Sequence, residues 1–315
     1  MKAPFPYFGG KRDVVDLVWS RLGVVKQYIE PFCGSAAMLL GARKPASLEV
    51  VNDINGFIAN FWRATKCQPA AVADAADYPV SHIDLGARHG WLMDQRDRIG
   101  SALQDPEWPG DAQAAGWWLW GQCSWIGSGW CDWSGQIPHA GNAGRGVQAI
   151  GKIPHASDAG MGVQAIGKIP HAGNAGRGEL LTSGGRTAWR WLHELAARLE
   201  RVRLVHGSWE RCLNNHYGDT ATAVFLDPPY RAYDGLYGTE PCADAVETWA
   251  RENAQLRVAL CGHRGDYPTL VGWDVVQWAR ARLTYSGSDT TDKEAIWFSP
   301  ACVPAEGPRQ RSMFA

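Results

Sequence analysis

The tetrapeptide Asp227-Pro228-Pro229-Tyr230 follows directly on the apolar run Ala223-Val224-Phe225-Leu226. Each proline bars helical conformation in the residue before it and removes a backbone donor, so the tetrapeptide forms a rigid, extended corner. At the end of a strand, that corner presents a carboxylate, unengaged carbonyls and an aromatic ring. An exocyclic amino group on a flat base needs those parts: two acceptors for its hydrogens and a face to stack on. The plain alternative is a turn with a capping aspartate.

Three further stretches have comparable chemistry. Tyr28-Ile29-Glu30-Pro31-Phe32-Cys33-Gly34-Ser35 reads as strand, tight loop and helix start. Gly34 lets backbone approach a ligand, and the helix behind it contributes a partial positive charge. Some 20 residues on, at the end of the next apolar run, stands Asn52-Asp53-Ile54-Asn55. An acid in that place characteristically takes ribose hydroxyls, although Asp53 also suits an ordinary helix N-cap. Near the N-terminus, Phe5-Pro6-Tyr7-Phe8-Gly9-Gly10-Lys11 sets aromatics, a glycine pair and a lysine just before a helical pattern.

The elements that must position these residues alternate. A helix is expected over 12–22, a strand over 27–29, a helix over 35–40, a strand over 48–51 and a helix over 54–65. After a long interruption the alternation resumes with a helix at 187–199, strands at 202–206 and 223–226, a helix at 242–253, and strands at 256–261 and 295–298. That pattern is α/β, the open nucleotide-binding kind of sheet. It predicts one discontinuous domain from residues 1–65 and 187–302. Residues 66–186 form an insertion, and residues 303–315 a loose tail.

The insertion has two unusual parts. Six tryptophans, Trp117, Trp118, Trp120, Trp125, Trp130 and Trp133, fall within 17 residues of one another. They suit either a core or wedges against an extruded base. From Ile137 a 16-residue unit reads IPHAGNAGRGVQAIGK, then IPHASDAGMGVQAIGK, then a partial third copy, IPHAGNAGRG, ending at Gly178. Its Pro-His, Gly-Asn and Gly-Arg-Gly steps are turn chemistry. Residues 135–190 carry six Lys or Arg against two Asp or Glu, whereas residues 66–115 carry four against eight. The basic side chains Arg145, Lys152, Lys168 and Arg177 are candidates for phosphate contact. His139, His155 and His171 recur with the repeat and suit turn-flanking surface positions; no metal site is expected.

Composition bounds the rest. The chain has 315 residues, is 45% hydrophobic and 20% charged, and carries a formal net charge of −1. Wholesale disorder and a globally basic coat protein are excluded. No apolar run reaches 18 residues, and the N-terminus lacks the apolar stretch of a signal peptide. The eight cysteines include no Cys-x-x-Cys pair. A reducing, cytoplasmic setting without a membrane is expected.

The four stretches together, in this order, resemble the D12 class of DNA adenine-N6 methyltransferases, the DNA adenine methylase family. The resemblance covers residues 4–65 and about 187–300. It implies a Rossmann-like S-adenosylmethionine-dependent methyltransferase sheet with an inserted target-recognition region, acting on double-stranded DNA. By the resemblance, Tyr7, Phe8, Gly9 and Lys11 sit at the methionine end of S-adenosylmethionine. Glu30, Pro31, Phe32, Cys33, Gly34 and Ser35 line its pocket, and Asp53 with Ile54 meets the ribose. Ser208 and Trp209, after the strand at 202–206, occupy the place where the family contacts the cofactor adenine. Asp227, Pro228, Pro229 and Tyr230 form the catalytic corner, with Asp227 between cofactor and base. Two departures stand out: Ser208 where the family usually has an acid, and Ala36 where it usually has a second glycine. The repeats resemble those of phage-borne relatives. A monomer is expected. The rival expectations are an RNA adenine-N6 methyltransferase and a DNA-binding module with an inactive cofactor site.

Overall fold

The structure is a computed structural model. It describes residues 1, 3–5, 11–78, 80–125, 130–131, 188–214, 219–231, 242–278 and 294–305. Among the described residues, seven strands form one sheet: β1 (Gln27–Glu30), β2 (Leu48–Asp53), β3 (Val202–His206), β4 (Thr222–Leu226), β5 (Arg257–His263), β6 (Asp274–Gln277) and β7 (Glu294–Phe298). Their order is β3-β2-β1-β4-β5-β7-β6. The first five run parallel, and β7 lies antiparallel between β5 and β6. Strands from residues 27–53 and from residues 202–298 thus share one sheet.

Strand residues alternate between two cores, as a period of two requires. Tyr28, Phe225, Ala259, Cys261, Ile296 and Phe298 face one cluster, and Ile29, Val224, Leu226, Val258, Leu260 and Trp297 face the other. The parallel strands β1, β4 and β5 are buried on both faces, which explains the apolar runs Ala223–Leu226 in β4 and Val258–Cys261 in β5.

The first face is covered by α1 (Val15–Leu22), α2 (Ala37–Gly41), α3 (Gly56–Cys67) and α7 (Ala188–Leu199), joined by α4 (Pro69–Ala76), α5 (His82–Ala102) and α6 (Ala112–Ser124). The second face is covered by α8 (Ala243–Glu252) with the turns around Trp209 and Tyr267. Local chemistry starts the helices. Asn55, Ser81 and Asp111 accept from Phe57 N, Asp84 N and Ala114 N at 2.9, 3.1 and 2.8 Å, and Pro69 opens α4. Phe57, Ile58, Phe61, Trp62 and Thr65 give α3 its buried stripe.

The helices α4 to α6, from the stretch read as an insertion, share the core of the first face with α3 and α7. Trp118, Trp120 and Trp130 are buried there, so these rings are packing rather than wedges. Trp117 packs edge-on against Trp91, and Trp125 stacks over His89. Trp133, the three repeat histidines and the candidate phosphate contacts Arg145, Lys152, Lys168 and Arg177 lie outside the described residues. Among the described residues no helix is long and apolar enough to cross a membrane.

Candidate functional site

In an open parallel sheet, ligands bind beyond the carboxyl ends of the strands, where the order of connection reverses. Here the reversal lies between β1 and β4, neighbours in the sheet whose register pairs Ile29 with Val224. The chain leaves β1 toward β2 and leaves β4 toward β5. Because β1 to β5 are parallel, residues 31–36, Asp53, 207–208 and 227–230 all emerge along one edge. The sequence separates these stretches by up to about 200 positions; strand direction alone reunites them.

The loop after β1 is braced from several sides. Gly34 has φ of +46° and Ala36 has φ of +49°. Ala36 therefore takes the left-handed conformation that its Cβ disfavours by about 1–2 kcal/mol, rather than the loop bending to avoid it. These two residues also move the start of α2 to Ala37, two positions later than the sequence pattern suggests. Gly34 N donates to Asp53 Oδ2 at 2.8 Å, and its carbonyl accepts from Trp62 Nε1 at 3.0 Å. Cys33 N donates to Asn52 O at 2.9 Å. The Asn52 side-chain amide donates to Pro31 O and Gly207 O at 2.9 and 3.0 Å, tying together the ends of β1, β2 and β3. Asn52 Oδ1 is buried with no donor among the described residues.

Asp53 Oδ1 accepts from Asn55 N at 2.9 Å, so the carboxylate already holds two backbone donors. Burial pushes its pKa up to about 6, against the lowering effect of backbone bonds from Asn55, Gly34 and Ile54. The helix cap itself is Asn55, not Asp53. Oδ2 also receives the Cys33 thiol at 4.0 Å, so the acceptor capacity left for hydroxyl donors is mainly on Oδ1.

Glu30, at the end of β1, is 2% exposed. Tyr28 Oη and Leu39 N both donate to its Oε2, at 2.9 and 3.1 Å, and Oε1 has no donor among the described residues. Burial pushes its pKa up to about 8, with the Asp227 and Asp53 carboxylates adding to the rise and the two hydrogen bonds opposing it.

The corner after β4 meets Lys11. Its Nζ lies 2.9 Å from Asp227 Oδ1, 3.8 Å from Glu294 Oε2 and 5.1 Å from the centre of the Tyr230 ring. Lys11 is 3% exposed. Burial alone would lower its pKa; Asp227, Cys261 and Glu294 outweigh that and hold it above the ordinary lysine value. Tyr230 Oη donates to Glu294 Oε2 at 3.3 Å, and its ring packs edge-on against His263 at 4.6 Å. Burial and the Asp227 charge drive the tyrosine pKa up, so the phenol stays a donor. Arg231 fastens the far end of the corner through Asp244, Glu247 at 2.6 Å and the Asp266 carbonyl at 2.6 Å.

The expected site residues divide accordingly. Lys11, Glu30, Pro31, Phe32, Cys33, Gly34, Ser35, Asp53, Asp227, Pro228, Pro229 and Tyr230 lie at or along this edge. Ile54 turns outward and is exposed. Trp209 lies in the second core, its ring stacked on Phe32 at 6.1 Å and edge-on to Trp249 at 6.4 Å. Ser208 is exposed and donates its hydroxyl to Glu210, which brings an acid beside the position where the sequence lacks one. Tyr7, Phe8 and Gly9 lie outside the described residues.

Sequence reasoning assigned no role to Glu294, Trp62, Asn52 or Arg231. Of these, Arg231, adjacent to Tyr230, and Asn52, adjacent to Asp53, carried a positional signal. Trp62 offers a direct test of the loop's bracing. Trp62→Phe keeps an aromatic ring but strips the Gly34 carbonyl of its donor. The lost bond and partial cavity together are expected to cost about 2–4 kcal/mol, read as a lowered thermal midpoint. Cofactor affinity should fall alongside; an unchanged affinity would show that the bond does not shape the loop.

A switch point between β1 and β4, an acid ending the second strand and a carboxylate corner after the fourth are consistent with a Rossmann-like fold of the methyltransferase type. Residues 7–83 match the family described as D12 class N6 adenine-specific DNA methyltransferase. Over this segment, about a quarter of its length, the chain is similar to that family. The match runs past residue 65 into α5. A search among curated proteins finds no match.

Proposed function

We propose that the protein transfers a methyl group from S-adenosylmethionine to N6 of an adenine flipped out of double-stranded DNA. The observation that carries this reading is the placement of Asp227 at the end of β4, directly beside the β1 loop across the switch point. The crevice fits the cofactor's chemistry. Asp53 has spare acceptor capacity for ribose hydroxyls, Glu30 Oε1 and Asn52 Oδ1 are unengaged acceptors, and Gly34 presents backbone at close range.

Bound there, S-adenosylmethionine supplies an electrophilic methyl carbon on a sulfonium sulfur, which leaves as a neutral thioether. The chain's residues do the rest. Adenine N6 is a poor nucleophile because its lone pair is delocalised into the ring. Asp227 and the Pro228 carbonyl accept its two hydrogens and favour the geometry in which the pair is free to form the nitrogen–carbon bond. The surplus proton then passes to Asp227 or to water. Tyr230 gives the extruded base a stacking face. Catalysis is mainly positioning and electrostatics. The basic repeat segment supplies phosphate contacts in this reading, through Arg145, Lys152, Lys168 and Arg177, and residues 66–186 read the sequence.

The test is transfer of labelled methyl from S-adenosylmethionine to unmethylated duplex DNA, followed by nucleoside digestion. Label is expected in N6-methyldeoxyadenosine. Label in RNA adenosine alone would replace the DNA reading with an RNA one. Absence of transfer together with absence of thermal stabilisation by the cofactor would leave a binding module.

A further inference from the structure

Glu294 is a residue of this site that no motif announces. It begins β7, pairs in register with His263 at the end of β5, and so reaches the ligand edge from an antiparallel strand. Its carboxylate is mostly buried and faces two groups, the Tyr230 hydroxyl and Lys11.

Lys11 raises a problem for the reaction. Its Nζ sits on Asp227 at 2.9 Å and over the Tyr230 ring at 5.1 Å. It thus occupies an acceptor and a stacking face that an incoming adenine needs. A buried ammonium cannot simply leave its carboxylate, because an uncompensated charge there costs several kcal/mol. A second carboxylate, 3.8 Å from the same nitrogen, removes that obstacle.

We propose that Glu294 is a positioning residue that takes over Lys11 from Asp227 as the base docks, while its bond from the Tyr230 hydroxyl holds the stacking ring in place. The assignment rests on the methyl-transfer reading above. The same nitrogen lies within reach of both carboxylates, so a short swing of the lysine exchanges one for the other without exposing it. With Lys11 on Glu294, the Asp227 oxygen that held the lysine can accept from N6, and the ammonium no longer lies over the Tyr230 face. No covalent step is added; an ion pair is exchanged.

The experiment compares wild type, Glu294→Gln, Glu294→Asp and Tyr230→Phe in methyl transfer to duplex DNA across pH, with cofactor affinity measured by calorimetry. Glu294→Gln keeps an acceptor for the tyrosine but offers Lys11 no charge. Its kcat should fall about tenfold or more while cofactor affinity stays within about twofold. Asp227, now held by the lysine and freed of a like charge, should titrate lower, so the acid limb of kcat/KM for DNA moves to lower pH. Glu294→Asp should restore that limb toward wild type. Tyr230→Phe should lose rate but leave the limb in place. An unshifted limb in Glu294→Gln, or the same shift in Tyr230→Phe, would overturn the exchange. A wild-type protein that methylates no DNA would instead remove the methyl-transfer reading, and the exchange with it.

Discussion

Asp227→Asn is expected to lower methyl transfer to DNA by at least about a thousandfold with little change in fold or cofactor affinity. The asparagine retains the shape and one acceptor, so it can still receive a hydrogen from Lys11 or from N6. It lacks the charge that favours the developing positive nitrogen and receives the surplus proton. Loss of a positioned base and loss of an aimed charge each amount to about 10²-fold or more. Asp227→Ala should be equally inactive and also less stable. Lys11, 3% exposed, would then lose its nearest carboxylate, with Glu294 at 3.8 Å. Breaking a buried pair by removing one partner costs about 3–5 kcal/mol, lessened here by that second carboxylate. The pair of variants separates chemistry from architecture: activity measured at temperatures where both remain folded should be absent in both, and the thermal midpoint should drop chiefly in the alanine. An asparagine variant with a tenth or more of the wild-type rate would remove Asp227 from the chemistry and leave it a partner for Lys11.

The parts of this site that the sequence exposes are those where local chemistry and structure coincide. Apolar runs ending in Glu30-Pro31, Asn52-Asp53 and Asp227-Pro228 mark strand ends because proline and small polar residues stop a buried parallel strand. The missed parts depend on pairing across the sheet. Strand β6, Asp-Val-Val-Gln, has too little apolar content to announce itself and exists by pairing with β7, Val275 opposite Trp297. Glu294 lies in Asp-Lys-Glu-Ala, which reads as solvated charge until the antiparallel register sets it beside His263. Trp62 looks like one more core aromatic; only the fold shows its indole nitrogen reaching the Gly34 carbonyl. The Trp-rich stretch misleads in the opposite direction. Its glycines and lack of a clean apolar period hide α6, which is buried nearly all round. Gly121 leaves room for the Trp130 ring, so closely that a Cβ there would lie 1.9 Å from it.

Glu30→Gln should act in opposite directions on stability and on cofactor binding. In the unfolded chain this carboxyl releases its proton near the ordinary 4.5, whereas in the fold burial holds it to about 8. Between those values the native state binds a proton that the unfolded state lacks, so this group's contribution to stability is full below pH 4.5 and is lost as pH rises through 8. Glutamine is neutral throughout. Its side-chain carbonyl can accept from Tyr28 Oη and Leu39 N as Glu30 Oε2 does, and its NH2 takes the position of Oε1. The variant should therefore match wild type near pH 5 and exceed it by a growing margin toward pH 8.5, read as the difference in thermal midpoint without ligand. Cofactor binding runs the other way. In the proposed function, Oε1 accepts from the ammonium of the methionine end, and the approach of that cation draws the proton from Glu30. Replacing a carboxylate by an amide there loses a charge-assisted bond of about 1.5–3 kcal/mol, roughly ten- to a hundredfold in affinity at pH 7.5. An unchanged slope of stability with pH would mean that Glu30 is ionised in the free protein despite its burial. A steeper slope in wild type with unaltered cofactor affinity in the variant would leave Glu30 as a structural acid that braces α2 and takes no part in holding the methyl donor.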